Sequence, residues 1–171
     1  DSGDNSLRGF SGADHLIGGA GRDTASYFTS SIGLTVSLEN PVLNTGEAAG
    51  DRFFTVERII GTSYADSLRG DGNANRISAG LGDDWIYGRG GNDILFGNSG
   101  KDSLYGNEGT DYLLGGDDDD LLMGGEGADY LSGGNGFDTI SYREAVAGVT
   151  VDLSNSSLNT GEAAGDTISS V

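Results

Sequence analysis

Residues 61–141 read GTSYADSLR, GDGNANRIS, AGLGDDWIY, GRGGNDILF, GNSGKDSLY, GNEGTDYLL, GGDDDDLLM, GGEGADYLS and GGNGFDTIS, which are nine consecutive blocks of nine residues. The sixth position of each block is Asp, with Asn75 as the exception, and the eighth is always Leu or Ile. Two further blocks, GFSGADHLI from Gly9 and GGAGRDTAS from Gly18, stand earlier in the chain. Self-similarity at a fixed period indicates a repeat architecture in which each unit packs on its neighbours.

A longer repeat contains the short one. Thr24–Asp51 aligns with Thr139–Asp166 at an offset of 115 residues, and 17 of the 28 aligned positions are identical. We therefore divide the chain into four segments, namely a short nonapeptide array (1–26), a spacer without the glycine–aspartate turn (27–60), the central array (61–141) and a truncated second spacer (142–171).

The spacers also contain strand-like alternation. It occurs at Thr35–Leu38, Thr55–Ile60 and Thr150–Leu153. Thirty-four residues fit about two more coils, so we expect one continuous solenoid rather than a separate flap. Because the spacers lack the repeated turn, we expect them to bind little or no metal.

Composition points away from an ordinary globular protein. Glycine supplies 32 of 171 residues, there is one proline and no cysteine, and the formal net charge is −18. So acidic a chain favours disorder unless cations neutralise it, and it lacks the basic patches that nucleic acids and anionic membranes require. No apolar run could span a bilayer, and there is no N-terminal signal peptide. Both ends fall inside repeat units, so we expect a piece of a longer protein.

The blocks resemble the GGxGxDxUx nonapeptide of the RTX (repeats-in-toxin) family, the hemolysin-type calcium-binding repeat. The resemblance implies an all-β fold, a parallel β-roll or right-handed β-solenoid with two nonapeptides per turn. Blocks i and i+2 would then stack on the same side. Departures from the pattern are mild: Ala79 replaces glycine at position 1, and Asn75 replaces the aspartate.

Each block is interpreted as a six-residue turn followed by a three-residue strand. A glycine-rich turn can aim several carbonyl oxygens at one point, and the aspartate at position 6 adds a carboxylate. Hard oxygen ligands select Ca²⁺, and with no cysteine and His15 as the one histidine, zinc and copper sites are excluded. Side-chain alternation along the strand turns position 8 inward, so that a column of Leu and Ile forms the core.

The predicted calcium ligands form two sets. The side-chain ligands are the position-6 residues Asp14, Asp23, Asp66, Asn75, Asp84, Asp93, Asp102, Asp111, Asp120, Asp129 and Asp138. The backbone ligands are turn carbonyls around Gly88, Gly91, Gly97, Gly100, Gly106, Gly109, Gly115, Gly124, Gly127, Gly133 and Gly136.

One ion between each pair of stacked turns predicts about seven Ca²⁺ ions in the central array. Without metal the stacked carboxylates repel one another, so the energy of metal binding becomes folding energy. The alternative is a flexible Gly/Asp-rich linker. A linker, however, has no need for Leu or Ile at every position 8.

Positions 7 and 9 face outward and carry large apolar side chains. Block parity places Ile94, Phe96, Tyr112, Leu114 and Tyr130 on one face, and Trp85, Tyr87, Tyr105, Leu121 and Met123 on the other. Such a surface can mark a contact site for an extracellular polysaccharide or a protein. The alternative is that aromatics suit a flat β-surface and are buried by a neighbouring segment or chain.

No residue pattern supports catalysis, so we predict that the chain is not an enzyme. His15 lies at an outward position 7, where a solvated side chain is expected. No second histidine exists to activate a serine. In the run Asp117–Asp120, the register makes Asp120 the calcium ligand and the other three turn residues.

The resemblance implies a calcium-binding module of a secreted bacterial protein, extracellular or at the cell surface. Export would follow type I secretion, with folding in external Ca²⁺, and the module would serve secretion, folding, stability or spacing of its parent. Three other roles stay open. It could be an accessory polysaccharide-binding module of an extracellular enzyme, such as a mannuronan C5-epimerase, lipase or protease. It could be a repeat segment of an adhesin, which the duplicated spacer favours, or a repeat region of a pore-forming toxin.

Overall fold

Sixteen short β-strands, paired in parallel, build the protein. The computed structural model describes residues 2–171, and this part of the chain contains no α-helix. In chain order the strands are β1 (Ser6–Leu7), β2 (His15–Ile17), β3 (Thr24–Ser26), β4 (Thr35–Ser37), β5 (Arg52–Phe54), β6 (Arg58–Ile60), β7 (Ser67–Arg69), β8 (Arg76–Leu81), β9 (Trp85–Gly90), β10 (Ile94–Ser99), β11 (Ser103–Glu108), β12 (Tyr112–Asp117), β13 (Leu121–Glu126), β14 (Tyr130–Asn135), β15 (Thr139–Ile140) and β16 (Thr167–Ser169).

The strands form the two walls of a solenoid. One wall is an eight-stranded sheet in the order β1-β3-β6-β8-β10-β12-β14-β16, and the other is a six-stranded sheet in the order β15-β13-β11-β9-β7-β4. Within the central array each strand pairs with the one 18 residues away, as Leu95 of β10 does with Leu113 of β12. Two nonapeptides therefore make one turn, and the predicted all-β roll is confirmed, with about eight turns.

The core is one column of side chains inside each wall. Eight of the nine position-8 residues of the central array are 0% exposed, namely Leu68, Ile77, Ile86, Leu95, Leu104, Leu113, Leu122 and Leu131, and the ninth, Ile140, is partly buried. Burial of one such side chain contributes about 1.5–3 kcal/mol, whereas ordering each residue's backbone costs about 1–2 kcal/mol. With one core residue in nine, hydrophobic burial alone cannot hold the roll together.

The strands of the array are longer than the three residues predicted. From β8 to β14 each strand has six residues, because pairing continues beyond position 9 into the next block. In β10 the register skips Gly97 and resumes at Asn98, which pairs with Gly116 of β12. Asn98 and Gly116 have φ values of 81° and 128°, so the strand turns a corner there without losing its partners. Backbone hydrogen bonding, which the residue pattern does not display, sets this length.

The first spacer interrupts the regular coil. Strand β6 joins the eight-stranded wall between β3 and β8, while β4 pairs with β7 and β5 pairs with β2. Two short 3-10 helices, Pro41–Leu43 and Gly46–Ala48, connect β4 to β5. In the second spacer, the strand expected at Thr150–Leu153 is reduced to one antiparallel bridge between Thr150 and Thr160.

Equivalent strands of the two copies of the longer repeat lie on opposite walls. Strand β3 belongs to the eight-stranded sheet, and its equivalent 115 residues later, β15, belongs to the six-stranded sheet. Strands of consecutive blocks alternate between the two walls, and the central array holds an odd number of blocks. The second spacer therefore begins on the wall opposite to the one where the first spacer begins. No helix within residues 2–171 has the length and apolarity to cross a membrane.

Candidate metal centre

The position-6 aspartates line the two edges of the roll, each just before a strand of the wall. In the array, the backbone N–H of each donates to the Oδ1 atom of the aspartate one turn further along. These bonds measure 2.8 Å from Asp84 to Asp102 and 2.9 Å from Asp102 to Asp120. On the other edge, Asp93 donates to Asp111 at 2.8 Å and Asp111 to Asp129 at 2.9 Å. The ladder fixes each carboxylate and uses one of its two oxygens.

The second oxygen of these carboxylates has no hydrogen-bond partner within residues 2–171. The buried side-chain oxygens without a partner are the Oδ2 atoms of Asp14, Asp23, Asp84, Asp93, Asp102, Asp111, Asp120, Asp129 and Asp138; two nitrogens, Nε of Arg69 and Nδ2 of Asn75, are likewise unpartnered. Buried polar atoms are almost always hydrogen-bonded, and an unpaired carboxylate oxygen is costly to bury. A column of such atoms therefore requires a cation or a proton.

Backbone carbonyls share the space next to the free oxygens. A Cβ placed on Gly97 would collide with Oδ2 of Asp102 and would meet the carbonyl oxygen of Gly115 at 2.6 Å. On the other edge, a Cβ on Gly106 would collide with Oδ2 of Asp111 and lie 2.6 Å from the carbonyl of Gly124. Position 1 is glycine because these oxygens approach its Cα. The same pattern places the predicted backbone ligands at Gly88, Gly97, Gly106, Gly115, Gly124 and Gly133 next to position-6 carboxylates.

The remaining predicted backbone ligands belong to position 4. The carbonyl of Gly91 lies against Gly109, and that of Gly109 against Gly127, one turn apart in each case. Gly100 and Gly136 stand at the same position of their blocks and, like the others, have positive φ. These carbonyls stack in the turn rather than at the free Oδ2 atoms described above.

Burial raises the pKa of several aspartates in the array, among them Asp84, Asp93, Asp102, Asp111, Asp120 and Asp129. Removal from water is the main cause, the backbone N–H bond to Oδ1 opposes it, and neighbouring aspartates add to it. The pKa of Asp84 rises to about 8, and the pKa values of Asp93, Asp102 and Asp129 rise to about 7. At neutral pH the metal-free column therefore holds its charges poorly, and a cation between the turns would relieve this.

The donor set fits a hard cation. Within residues 2–171 no three His, Asp or Glu side chains converge on one point. An ion here would therefore be held by one or two carboxylates together with backbone carbonyls, which are ligands that Ca²⁺ accepts. The free Oδ2 atoms and the carbonyls that face them supply only oxygen.

Two predicted ligands have no free oxygen. Oδ2 of Asp66 accepts from the backbone N–H of Thr62 at 2.6 Å, and its Oδ1 accepts from that of Leu34 at 2.8 Å. Oδ1 of Asn75 accepts from the backbone N–H of Asp71 at 2.8 Å. Both side chains close their own turn with hydrogen bonds, so the first two blocks of the array have less need of an ion than the later ones.

Sequence reasoning missed two aspartates that extend the ladders. Asp51 accepts from the N–H of Asp14 and Asp166 from that of Asp129, each through Oδ1 at 2.9 Å. Both are fully buried and stand just before a strand, as position-6 residues do. The available signal was the Gly–Asp pair that ends the identical stretch in both spacers.

The outward faces differ in their exposure. Trp85 and Tyr112 are each 51% exposed, and the ring of Tyr112 stacks on that of Tyr130 at 5.6 Å. Tyr105 and Met123, expected to face outward, are instead buried. The second spacer lies against them, because Tyr142 and Glu144 line the same small cavity as these two residues, so on this wall the interpretation of burial by a neighbouring segment holds. His15 is exposed, as predicted, with its ring centroid 5.8 Å from that of Phe54.

The repeats of the chain match a known protein family. The family model described as the RTX calcium-binding nonapeptide repeat matches four segments of the chain, residues 1–25, 55–85, 69–104 and 105–140, which together cover well over half of it. No curated protein matches the chain.

Proposed function

The chain belongs to the family of RTX calcium-binding nonapeptide repeats, and we propose that it is a module whose β-roll assembles as Ca²⁺ fills the gaps between stacked turns. The family is one of structural calcium-binding repeats rather than of enzymes. The observation that carries the proposal is the column of buried Oδ2 atoms without a partner.

The residues that would hold the ions are the aspartates with a free oxygen, together with the facing turn carbonyls. Ca²⁺ supplies positive charge, which removes the repulsion between successive carboxylates and satisfies the free Oδ2 atoms. Seven ions would take the formal charge of the chain from −18 to about −4. Because the apolar core is thin, this binding energy decides whether the roll or the disordered chain prevails.

The gaps between turns differ in the oxygen they offer. Five gaps have a free Oδ2 on both sides: Asp84/Asp102, Asp102/Asp120, Asp120/Asp138, Asp93/Asp111 and Asp111/Asp129. The two gaps at the start of the array, Asp66/Asp84 and Asn75/Asp93, have one on a single side. We infer that the five fill first and that the prediction of about seven requires the two weaker gaps as well.

In its biological setting, we propose that the module belongs to a secreted bacterial protein, exported unfolded by type I secretion and folded in external Ca²⁺. Membership of the family supports this, since RTX repeats are typical of secreted bacterial proteins. A role as a spacing segment of an adhesin is supported by the duplicated spacer. A role in polysaccharide binding beside an extracellular enzyme is supported by the exposed rings of Trp85 and Tyr112.

The test is far-UV circular dichroism of the protein in chelator, followed by separate titrations with CaCl₂ and MgCl₂. We expect a disordered spectrum in chelator and a steep change to β-structure with Ca²⁺. Mg²⁺ should be much weaker, because it demands a compact octahedral shell and gives up its waters reluctantly. A β spectrum that is already present in chelator and unchanged by Ca²⁺ would refute metal-driven folding.

A further inference from the structure

In each spacer a tyrosine hydroxyl donates a hydrogen bond to the Oδ2 oxygen of a ladder aspartate. In most aspartates of the array this oxygen has no partner within the described residues. The hydroxyl of Tyr27 donates to Oδ2 of Asp51 at 2.7 Å, and the hydroxyl of Tyr142 donates to Oδ2 of Asp166 at 2.7 Å. The two pairs are related by the 115-residue offset, so the same contact forms independently in both spacers. Both Asp51 and Asp166 are fully buried.

These aspartates share two features with those of the array. The N–H of the preceding ladder residue donates to Oδ1 at 2.9 Å in both, as it does between Asp102 and Asp120. A strand follows directly, β5 after Asp51 and β16 after Asp166. Their own N–H groups differ, since they donate to the carbonyl oxygens of Ala48 and Ala163 within the spacer rather than to a further ladder carboxylate. At Oδ2 the partner is a phenol here, whereas the Oδ2 atoms of Asp84, Asp102 and Asp120 have no hydrogen-bond partner within the described residues.

Building on the calcium-binding function proposed above, we propose that the hydroxyls of Tyr27 and Tyr142 take the place of a calcium ion at Asp51 and Asp166. A hydroxyl that donates to a carboxylate forms a charge-assisted hydrogen bond, about twice as strong as a neutral one. Both oxygens of Asp51 and Asp166 therefore have hydrogen-bond partners without a metal. Asp166 thus ends the column that contains Asp129, and Asp51 ends the short ladder that starts at Asp14.

The position of the tyrosine explains why the substitution works. Tyr27 lies 24 residues before Asp51 in the chain, at the end of β3, and its side chain is 2% exposed. The ring thus fills space next to the spacer turn while its hydroxyl reaches the carboxylate. In the folded roll, the joint between spacer and array is thus built from protein groups alone and needs no Ca²⁺ ion at Asp51 or Asp166.

The first test counts ions by native mass spectrometry at saturating Ca²⁺. We compare the wild type with the double variants Asp51→Asn/Asp166→Asn and Asp102→Asn/Asp111→Asn, which make the same chemical change in the spacers and in the array. The spacer variant should keep the wild-type count, and the array variant should lose at least two ions. Loss of ions from the spacer variant would overturn the inference. A wild type without bound Ca²⁺ would instead overturn the proposed function.

A second variant covers the case in which Asp51→Asn/Asp166→Asn does not fold. Tyr27→Phe/Tyr142→Phe removes only the two hydroxyls, and its ion count should not fall below that of the wild type. A lower count would mean that the hydroxyls help to hold ions rather than replace them.

The third test is a double-mutant cycle read by thermal unfolding in saturating Ca²⁺. Tyr27→Phe/Tyr142→Phe leaves two buried carboxylates unpaired and should lower Tm by about 5–10 °C. In the Asp51→Asn/Asp166→Asn background the same change should cost less than half of that shift. The control is Tyr130→Phe, whose hydroxyl contacts Ser169 and no carboxylate, and which should shift Tm little. Equal shifts in both backgrounds would overturn the inference.

Discussion

Asp102 is the side chain whose replacement tests the calcium column most directly. It lies between Asp84 and Asp120, accepts the N–H of the former through Oδ1 and donates its own N–H to the latter. Its Oδ2 has no protein partner within the described residues. Asp102→Asn keeps the shape and the Oδ1 acceptor, but it replaces the free oxygen with an amide N–H₂, which cannot bind a cation.

The change weakens two gaps, because Asp102 lines the one before it and the one after it. An interaction with a charged partner is worth about 1.5–3 kcal/mol, so the two gaps together lose about 3–6 kcal/mol. If five ions bind as the roll forms, each tenfold rise in free Ca²⁺ adds about 7 kcal/mol to its stability. The midpoint of Ca²⁺-induced folding should therefore rise roughly three- to sevenfold, and the transition should become less steep.

The assay is a CaCl₂ titration followed by far-UV circular dichroism, with Asp119→Asn as the matched control. Asp119 stands one residue from Asp120 but is exposed, and its Oδ2 bonds to Nζ of Lys101 at 2.7 Å. The control removes the same formal charge from the edge without touching a buried oxygen, so its midpoint should stay close to that of the wild type. Equal shifts in the two variants would refute the reasoning, because net charge rather than the free Oδ2 would then control folding.

Three further predictions concern the pH dependence of stability, the glycines at position 1 and the buried Leu/Ile column. In metal-free buffer the roll should gain stability as pH falls from about 8 to about 5. The pKa of Asp84 is raised to about 8, so buried carboxyls of this kind favour the folded state when protonated and oppose it when ionised. If circular dichroism without Ca²⁺ shows no gain in β-structure on acidification, this prediction is wrong. Gly97→Ala should raise the midpoint of Ca²⁺-induced folding severalfold, because the added Cβ collides with Oδ2 of Asp102. The control is Gly72→Ala, where a Cβ meets no atom within 4 Å, and it should leave the midpoint unchanged in the same titration. Leu104→Ala in the buried column should lower stability in saturating Ca²⁺ by about 2–5 kcal/mol, measured by urea unfolding, and a cost under about 1 kcal/mol would show that the column is not close-packed.

The nonapeptide array could be predicted from the sequence in most respects. Two blocks of nine residues make one turn, so each position of the block recurs at the same place in every turn. For this reason all position-8 side chains point into the core and all position-6 side chains lie at an edge. Local chemistry also predicted that an oxygen-lined turn selects a hard cation. The length of the strands escaped prediction, since it depends on which backbone groups find partners one turn away.

The exceptions depend on contacts that the repeat pattern does not show. Asp66 has the residue type of a ligand, and only the structure shows that Thr62 satisfies its second oxygen. Likewise Tyr27 is separated from Asp51 by 24 residues, and their contact forms through the spacer's own path. On the outer surface, Tyr105 is covered by the second spacer rather than left exposed.

The switch of walls between the two spacers has a mechanical consequence. The turn from β3 to β6 spans 34 residues, from Thr24 to its partner Arg58, whereas an array turn spans 18, from Ile94 to Tyr112. The extra chain thickens the rod at the spacer and biases it to bend, and thickenings that all lay on one side would add up to a curve. In this chain the 115-residue unit contains an odd number of nonapeptides, so equivalent strands such as β3 and β15 lie on opposite walls. In a tandem series of such units the bends alternate in direction and cancel. An even number of blocks per unit would give an arc, and the odd number favours a straight rod.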